Sequence, residues 1–257
     1  MCDTVIPVVF TPDENFIIQT CVVILSMLET KKGETQYRFL IIVSNNINRA
    51  CLRYLDKIKN LYEYFDYQIV YIDSTIFDKR KITTDHVSSN TYYRLILADI
   101  LQEYDRCMYH DGDILVNADL SEMFQTSLSD CYVAGVKAAL KHQDTEKNLD
   151  QLRKGGFISF DNYIFAGDLV FNLAKIREDG ITNFFLKQME KDYPSEDQDV
   201  INYCCYGKIK FLPLKYCMLN RWLNNNALIN MKKQVYPIKE IKEAQKEPAI
   251  VHFAGAL

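Results

Sequence analysis

The residues best suited to chemistry are Asp111 and Asp113, two carboxylates separated by Gly112 and following the strand-like stretch Arg106 to His110. Carboxylates so spaced can converge on a hard divalent cation such as Mg²⁺ or Mn²⁺, which takes oxygen ligands and commonly bridges to substrate phosphates. An ion there would neutralise a diphosphate leaving group. Asp-Gly is also a favoured turn pair, so the triplet alone fits a plain turn. Its flanks argue against a solvated tip: Met108 stands on one side and Ile114, Leu115 and Val116 on the other. Two unpaired carboxylates buried there would be costly without a counter-ion. Other polar residues have simpler roles open to them. Asp13 is placed to cap a helix. Arg94 falls opposite the apolar stripe of its helix, the position of a solvated arginine. Asp197 and Asp199 open a helix, where carboxylates favour the macrodipole. His252 stands between apolar Val251 and Phe253, as a structural histidine would.

Positioning these groups falls to alternating strands and helices. Val5 to Phe10 reads as a strand, followed by a helix in which Ile17, Cys21, Ile24, Leu25 and Leu28 recur at helical spacing. Tyr37 to Val43 suits a buried parallel strand. Next come a helix carrying Cys51, Leu55, Ile58 and Tyr62, a strand from Tyr67 to Ile72, and a helix striped by Tyr93, Leu97, Ile100, Leu101 and Tyr104. Arg106 to His110 is then a strand running into the Asp-Gly-Asp triplet. In the second half, strands are expected at Tyr132 to Lys137, Asp161 to Leu173 and Ala249 to Phe253. Helices are expected at Ala174 to Lys191 and Glu196 to Tyr206, with Lys141 to Lys154 a loop or short helix. Leu214 to Val235 has little periodicity. Repeated β-α-β units imply a mostly parallel sheet with helices on both faces. Ligands bind beyond the carboxyl ends of such strands, which directs attention to Phe10–Asn15 and His110–Asp113.

The 257 residues suffice for one large α/β domain, and 48% hydrophobic with 25% charged residues is ordinary for a folded protein. A net charge of −4 gives no basic field for nucleic acid. No apolar run is long enough to span a bilayer, and Asp3 without a basic flank argues against a secretory leader. The expected location is cytoplasmic, with peripheral contact to the inner face of the membrane left open. Eight cysteines, none in a Cys-x-x-Cys pair, read as reduced, mostly buried thiols.

Taken in order, these segments resemble glycosyltransferase family 8, whose retaining enzymes include bacterial lipopolysaccharide galactosyl- and glucosyltransferases and glycogenin. The likeness runs from Val8 to Leu257. Val9-Phe10-Thr11-Pro12-Asp13-Glu14-Asn15-Phe16 is similar to the family's first strand and uridine-binding turn. In relatives the positions of Thr11, Asp13 and Asn15 hold the nucleoside, and those of His86 and Arg94 reach the nucleotide. Asp111-Gly112-Asp113 matches the family's DxD motif. Phe165-Ala166-Gly167-Asp168 resembles a strand carrying Asn-Ala-Gly or Asn-Ser-Gly, and Glu196-Asp197-Gln198-Asp199 a DQD helix start near the transferred sugar. His252-Phe253-Ala254-Gly255 looks like a C-terminal H-x-x-G motif whose histidine is a third metal ligand.

Three departures accompany the likeness. Phe165 stands where many relatives have Asn, so a polar contact to the donor sugar is either lost or supplied by Asp168. His110 replaces an aliphatic residue and by strand alternation should point away from the metal. Relatives continue past H-x-x-G with Lys-Pro-Trp, whose lysine contacts the diphosphate, whereas this sequence ends at Leu257; a trimmed chain is the expected reason.

The resemblance implies a GT-A fold: a single α/β domain over residues 1–257 with a central, mostly parallel mixed sheet flanked by helices. Residues 1–116 would form the nucleotide-binding half and 117–257 the half for sugar and acceptor. It further implies a Mn²⁺-dependent (or Mg²⁺-dependent) hexosyltransferase using UDP-glucose or UDP-galactose and a glycan or lipid-linked acceptor, as in lipopolysaccharide biosynthesis. Asp111, Asp113 and His252 would hold the metal. Thr11, Asp13, Asn15, His86, Arg94, Asp111, Ala166, Gly167 and Gly255 would contact the donor. Asp197 would bind a sugar hydroxyl, and Gln198 would lie near the anomeric carbon. Two rivals remain: a UDP-sugar-binding protein with weakened catalysis, and a metal-dependent nucleotidyltransferase. The latter should carry a Gly-rich basic loop after its first strand, and Phe10–Asn15 contains neither glycine nor a basic residue.

Overall fold

The first strand, β1 (Val5–Phe10), is buried at every position after Val5, as its apolar sequence VIPVVF requires. It belongs to a computed structural model that describes residues 5–62, 65–78, 89–139, 160–231 and 234–254. The next strands are β2 (Gln36–Ser44), β3 (Asp66–Ile72) and β4 (Arg106–His110). After β5 (Ile114–Val116) and β6 (Val133–Lys137) come β7 (Ile164–Asn172) and β8 (Ile209–Leu212). Two short strands complete the set, β9 (Met218–Leu219) and β10 (Ile250–His252).

The main sheet has seven strands in the order β3-β2-β1-β4-β7-β6-β8. All are mutually parallel except β7, which runs antiparallel to β4 and β6. Strand alternation feeds two cores. Val8, Phe10, Phe39, Ile41 and Met108 face one, and Val9, Leu40, Ile42, Cys107 and Tyr109 face the other. Burial of both faces explains why β1 and β2 read as continuous apolar runs.

The chain moves outward from β1 to β2 to β3 and then returns to β1's other edge as β4. Val9 lies opposite Tyr109, so the chain leaves β1 at Thr11 beside the point where it leaves β4 at Asp111. That reversal of strand order opens a crevice past the strand ends. A second sheet, β5-β10-β9, carries His252 up to the same crevice. The Phe253 amide donates to the Asp113 carbonyl (2.9 Å) and ties the two sheets together there.

Several helices differ from the sequence reading. The helix after β1 is Ile17–Thr30, so Asp13 does not cap it. Instead the Asp13 carboxylate accepts from the Asn15 and Phe16 amides (2.9 and 3.1 Å) and closes the turn that precedes it. The stripe around Tyr93 belongs to a 3₁₀ segment, Ser89–Ile96, followed by only one α-turn, Leu97–Ile100. The single helix expected at 174–191 is two, Leu173–Glu178 and Ile181–Gln188, broken at Gly180, whose φ of 66° is the left-handed value glycine adopts freely. Pro237 ends the aperiodic stretch and opens an unanticipated helix, Ile238–Lys246, in which Ile241 and Ala244 are buried. The expected loop at 141–154 lies outside the described residues. Among the described residues, no helix is long and apolar enough to cross a membrane.

Candidate active site

The chain beyond β1 and β4 forms a cleft lined by Thr11, Asp13, Asn90, Tyr109, Asp111 and Asp113. The space it encloses, open solvent included, is about 680 Å³. Thr11 is buried and its hydroxyl shares a 2.9 Å hydrogen bond with the Tyr109 phenol. Asn15 is exposed and its side chain is not among the cleft's lining groups. Asn90 is a residue the sequence reading passed over: its side-chain amide donates to the Pro12 carbonyl (2.7 Å) and fixes the cleft's first turn.

One wall of the site is an ion cluster centred on Arg94. Sequence periodicity placed this arginine on a solvated face, but it is only 3% exposed. Its Nη2 donates to Asp111 Oδ1 at 2.8 Å, and its Nε lies 3.0 Å from Asp197 Oδ2. Nη1 donates to the Ala166 carbonyl and Nε to that of Thr91, while the guanidinium stacks 4.2 Å above the Tyr109 ring. The 3₁₀ segment turns Arg94 inward, and two carboxylates compensate its charge. Arg94 is thus engaged with protein groups around the whole fork and acts on the cleft through Asp111 and Asp197. Burial pushes the Asp111 carboxyl up, against the opposing pull of Arg94 and His252.

His252 closes the other side. Its Nε2 lies 3.3 Å from Asp113 Oδ1 and 3.9 Å from Asp111 Oδ2. One ligand atom from each of these three residues lies within 4.8 Å of the others. Two ligands on a common ion at ~2.1 Å sit roughly 3–4.2 Å apart, so a small contraction would seat a divalent cation. Two carboxylates and an imidazole suit Mn²⁺ or a similar metal. Gly167 makes the approach possible. A Cβ there would fall 2.2 Å from His252 Cε1 and 2.7 Å from Asp111 Oδ2, so no larger residue fits. Its carbonyl also receives the Asp111 amide at 2.8 Å.

Asp197 and Gln198 stand at the start of the helix Glu196–Cys204, whose first residue has φ of 49°, a strained value for a residue other than glycine. Gln198 accepts from the Ala166 amide at 3.1 Å and donates to the Tyr163 hydroxyl at 3.1 Å. Tyr163, also missed in sequence, donates to Asp199 at 2.5 Å and so fixes this helix start from beneath. His86 and Gly255 lie outside the described residues. Asp168 does not take the place of the missing Asn toward a sugar: it is buried against His110 and His252. Phe165 packs on Trp222 with ring centroids 5.9 Å apart.

A family model described as "Glycosyl transferase family 8" matches residues 7–257. The chain belongs to that family. A putative glycosyltransferase of Haemophilus influenzae is 25% identical over 211 residues, covering 80% of this chain and 61% of that protein. Lipopolysaccharide 1,2-glucosyltransferase of Escherichia coli is 30% identical over 172 residues, 64% of this chain and 47% of the relative. The chain therefore spans 61% and 47% of the length of these two curated relatives. The galactosyltransferase LgtC, solved with donor and acceptor sugar analogues, superposes with a TM-score of 0.79 at 22% identity, covering 97% of this chain and 87% of LgtC. That likeness establishes the fold as the α/β arrangement of GT-A glycosyltransferases.

Proposed function

We propose that this family 8 chain is a metal-dependent, retaining hexosyltransferase that moves glucose or galactose from a UDP-sugar to a glycan or lipopolysaccharide-type acceptor. The observation that carries the reading is the convergence of Asp111, Asp113 and His252 at the mouth of a cleft at the sheet's reversal point. We take residues 1–257 as one domain, with the nucleotide side contributed by 1–116 and the sugar and acceptor side by 117–257.

In this reading Thr11, Asp13 and the turn fixed by Asn90 receive the nucleoside. Asp111, Asp113 and His252 would hold a divalent ion, which when bound would supply positive charge for a departing diphosphate. Arg94 aims Asp111 and opposes the rise that burial imposes on its carboxyl, while restraining Asp197 at the start of its helix. The Ala166 amide and Tyr163 hydroxyl fix both ends of the Gln198 amide, so it meets the sugar in a set orientation and without reorganisation. Glycine at 167 keeps the floor of the site low enough for His252 and Asp111 to share one ion.

The reading is tested by following UDP release from UDP-glucose and UDP-galactose, with water as the fallback acceptor. Release from one of the two in Mn²⁺, stopped by EDTA and reduced at least about a hundredfold in Asp113→Ala, is expected for loss of a metal ligand. A folded protein that releases UDP from neither donor in Mn²⁺ would remove the proposal.

A further inference from the structure

Behind the proposed metal ligands lies a buried chain of polar groups with no part in the proposed reaction. His110 and Asp168 are directly opposite each other in β4 and β7, and both side chains are fully buried. His110 Nδ1 lies 2.8 Å from Asp168 Oδ1, and His252 Nδ1 lies 2.9 Å from Asp168 Oδ2. One carboxylate therefore bridges two imidazoles. An apolar interior admits such a group only when its oxygens are satisfied, and here each has a ring nitrogen.

The proton positions follow from the surroundings. The far nitrogen of His110, Nε2, is buried without a hydrogen-bond partner. A proton there would be stranded, so His110 carries its proton on Nδ1 and donates to Asp168. A carboxylate accepts and does not donate, so His252 must likewise present Nδ1–H to Asp168. Its Nε2, on the opposite side of the ring, faces Asp111 and Asp113 and is the nitrogen left to ligate an ion held between them. Metal-ligating histidines are commonly oriented this way, by a carboxylate on the other ring nitrogen.

We infer that Asp168 is a positioning residue for the metal site, fixing the ring orientation and tautomer of His252, with His110 anchoring the carboxylate from behind. The inference rests on the proposed metal site, deepens it, and reassigns Asp168 from the donor sugar to the metal's outer shell. A second ligand set, Asp168, Cys217 and His252, is geometrically close enough to hold an ion on the inner side of the same ring. It is completely buried and includes a soft sulfur, whereas a hard ion such as Mn²⁺ is matched by the outer carboxylates.

The test uses Mn²⁺ binding to the UDP-saturated protein, read by electron paramagnetic resonance. Pulsed spectra report nitrogen modulation from a directly bound histidine, independent of turnover. The double variant His110→Leu/Asp168→Val removes both polar partners together and avoids stranding either one. Relative to wild type it should bind Mn²⁺ about 10–100-fold more weakly, the usual cost of losing an outer-shell partner, and lose most of the nitrogen modulation. If that variant does not fold, Asp168→Asn keeps the volume but not the charge, and a loss near tenfold is expected. Wild-type affinity and modulation in whichever folded variant is measured would overturn the inference. Wild type that shows no nitrogen modulation, or Mn²⁺ binding unaffected by Asp113→Ala, would instead overturn the metal site itself.

Discussion

Replacing Arg94 by methionine keeps much of the side-chain volume and deletes the charge that two carboxylates share. Asp111 and Asp197 approach the guanidinium at 2.8 and 3.0 Å, and Arg94 is 3% exposed. At an effective dielectric of ~20 each contact amounts to roughly 6 kcal/mol, offset by several kcal/mol of lost hydration per ion. Removing one partner of such a cluster leaves the others buried and uncompensated, which costs about 3–5 kcal/mol. Against a total stability of ~5–15 kcal/mol this is a large fraction. Urea unfolding should show a midpoint lowered accordingly, with an unchanged slope. Arg94→Lys retains the charge but cannot span Asp111, Asp197 and the Ala166 carbonyl together, so it should fall between the two. Mn²⁺ should recover part of the loss, since a cation at the Asp111 carboxylate offsets the missing charge; at a hundred times its Kd a ligand adds ~2.7 kcal/mol. If Arg94→Met unfolds within about 0.5 kcal/mol of wild type, the scatter of an ordinary surface change, the reasoning fails.

Three further outcomes are expected. Gly167→Ala drives a methyl into His252 and Asp111, so Mn²⁺ affinity should drop at least about tenfold, as when a ligand's support is disturbed, in a Mn²⁺ titration. Tyr163→Phe deletes the hydroxyl between Gln198 and Asp199. It should cost about 1.5–3 kcal/mol in denaturant melts, the worth of a hydrogen bond to a charged group, and lower turnover more than UDP affinity. Asp119 accepts from the Lys32 and Ser121 amides, so Asp119→Ala should cost ~1–2 kcal/mol at neutral pH, as for loss of a cap. Burial alone would raise the Asp119 carboxyl, but these bonds and those of the Ser121 and Thr35 side chains hold it below its ordinary value of 3.8. Its stabilisation is therefore present above that value and fades as pH falls through the lower folded one, so wild type and variant should converge in acid melts.

What the sequence disclosed and what it hid divide along physical lines. β1 and β2 were legible because both faces of their sheet are buried, which leaves long apolar runs, and the DxD triplet stood out at the end of the short strand β4. The main helices were legible where an apolar stripe persisted, as at Ile17–Thr30, and failed where a short segment is held by tertiary contacts, as at Ser89–Ile96. Gly180 carried a readable break signal that the surrounding stripe outweighed. Arg94 was misplaced because periodicity registers a face but not a partner, and Asp111 and Asp197 come from distant segments. Asp168 and Tyr163 were hidden for the same reason: each matters through a residue brought to it by cross-strand register or helix packing. His110 was noted as a departure, but its role emerges only when β4 and β7 are paired.

Asp111, Asp113 and His252 are proposed to build a metal-dependent UDP site. Calorimetric titration of UDP into the protein in Mn²⁺, then in EDTA, alongside folded Asp113→Ala, tests it most directly. UDP should bind in Mn²⁺, and binding should be lost both in EDTA and in the variant. No UDP binding by the folded protein in Mn²⁺, or binding indifferent to the metal and to Asp113, would contradict it.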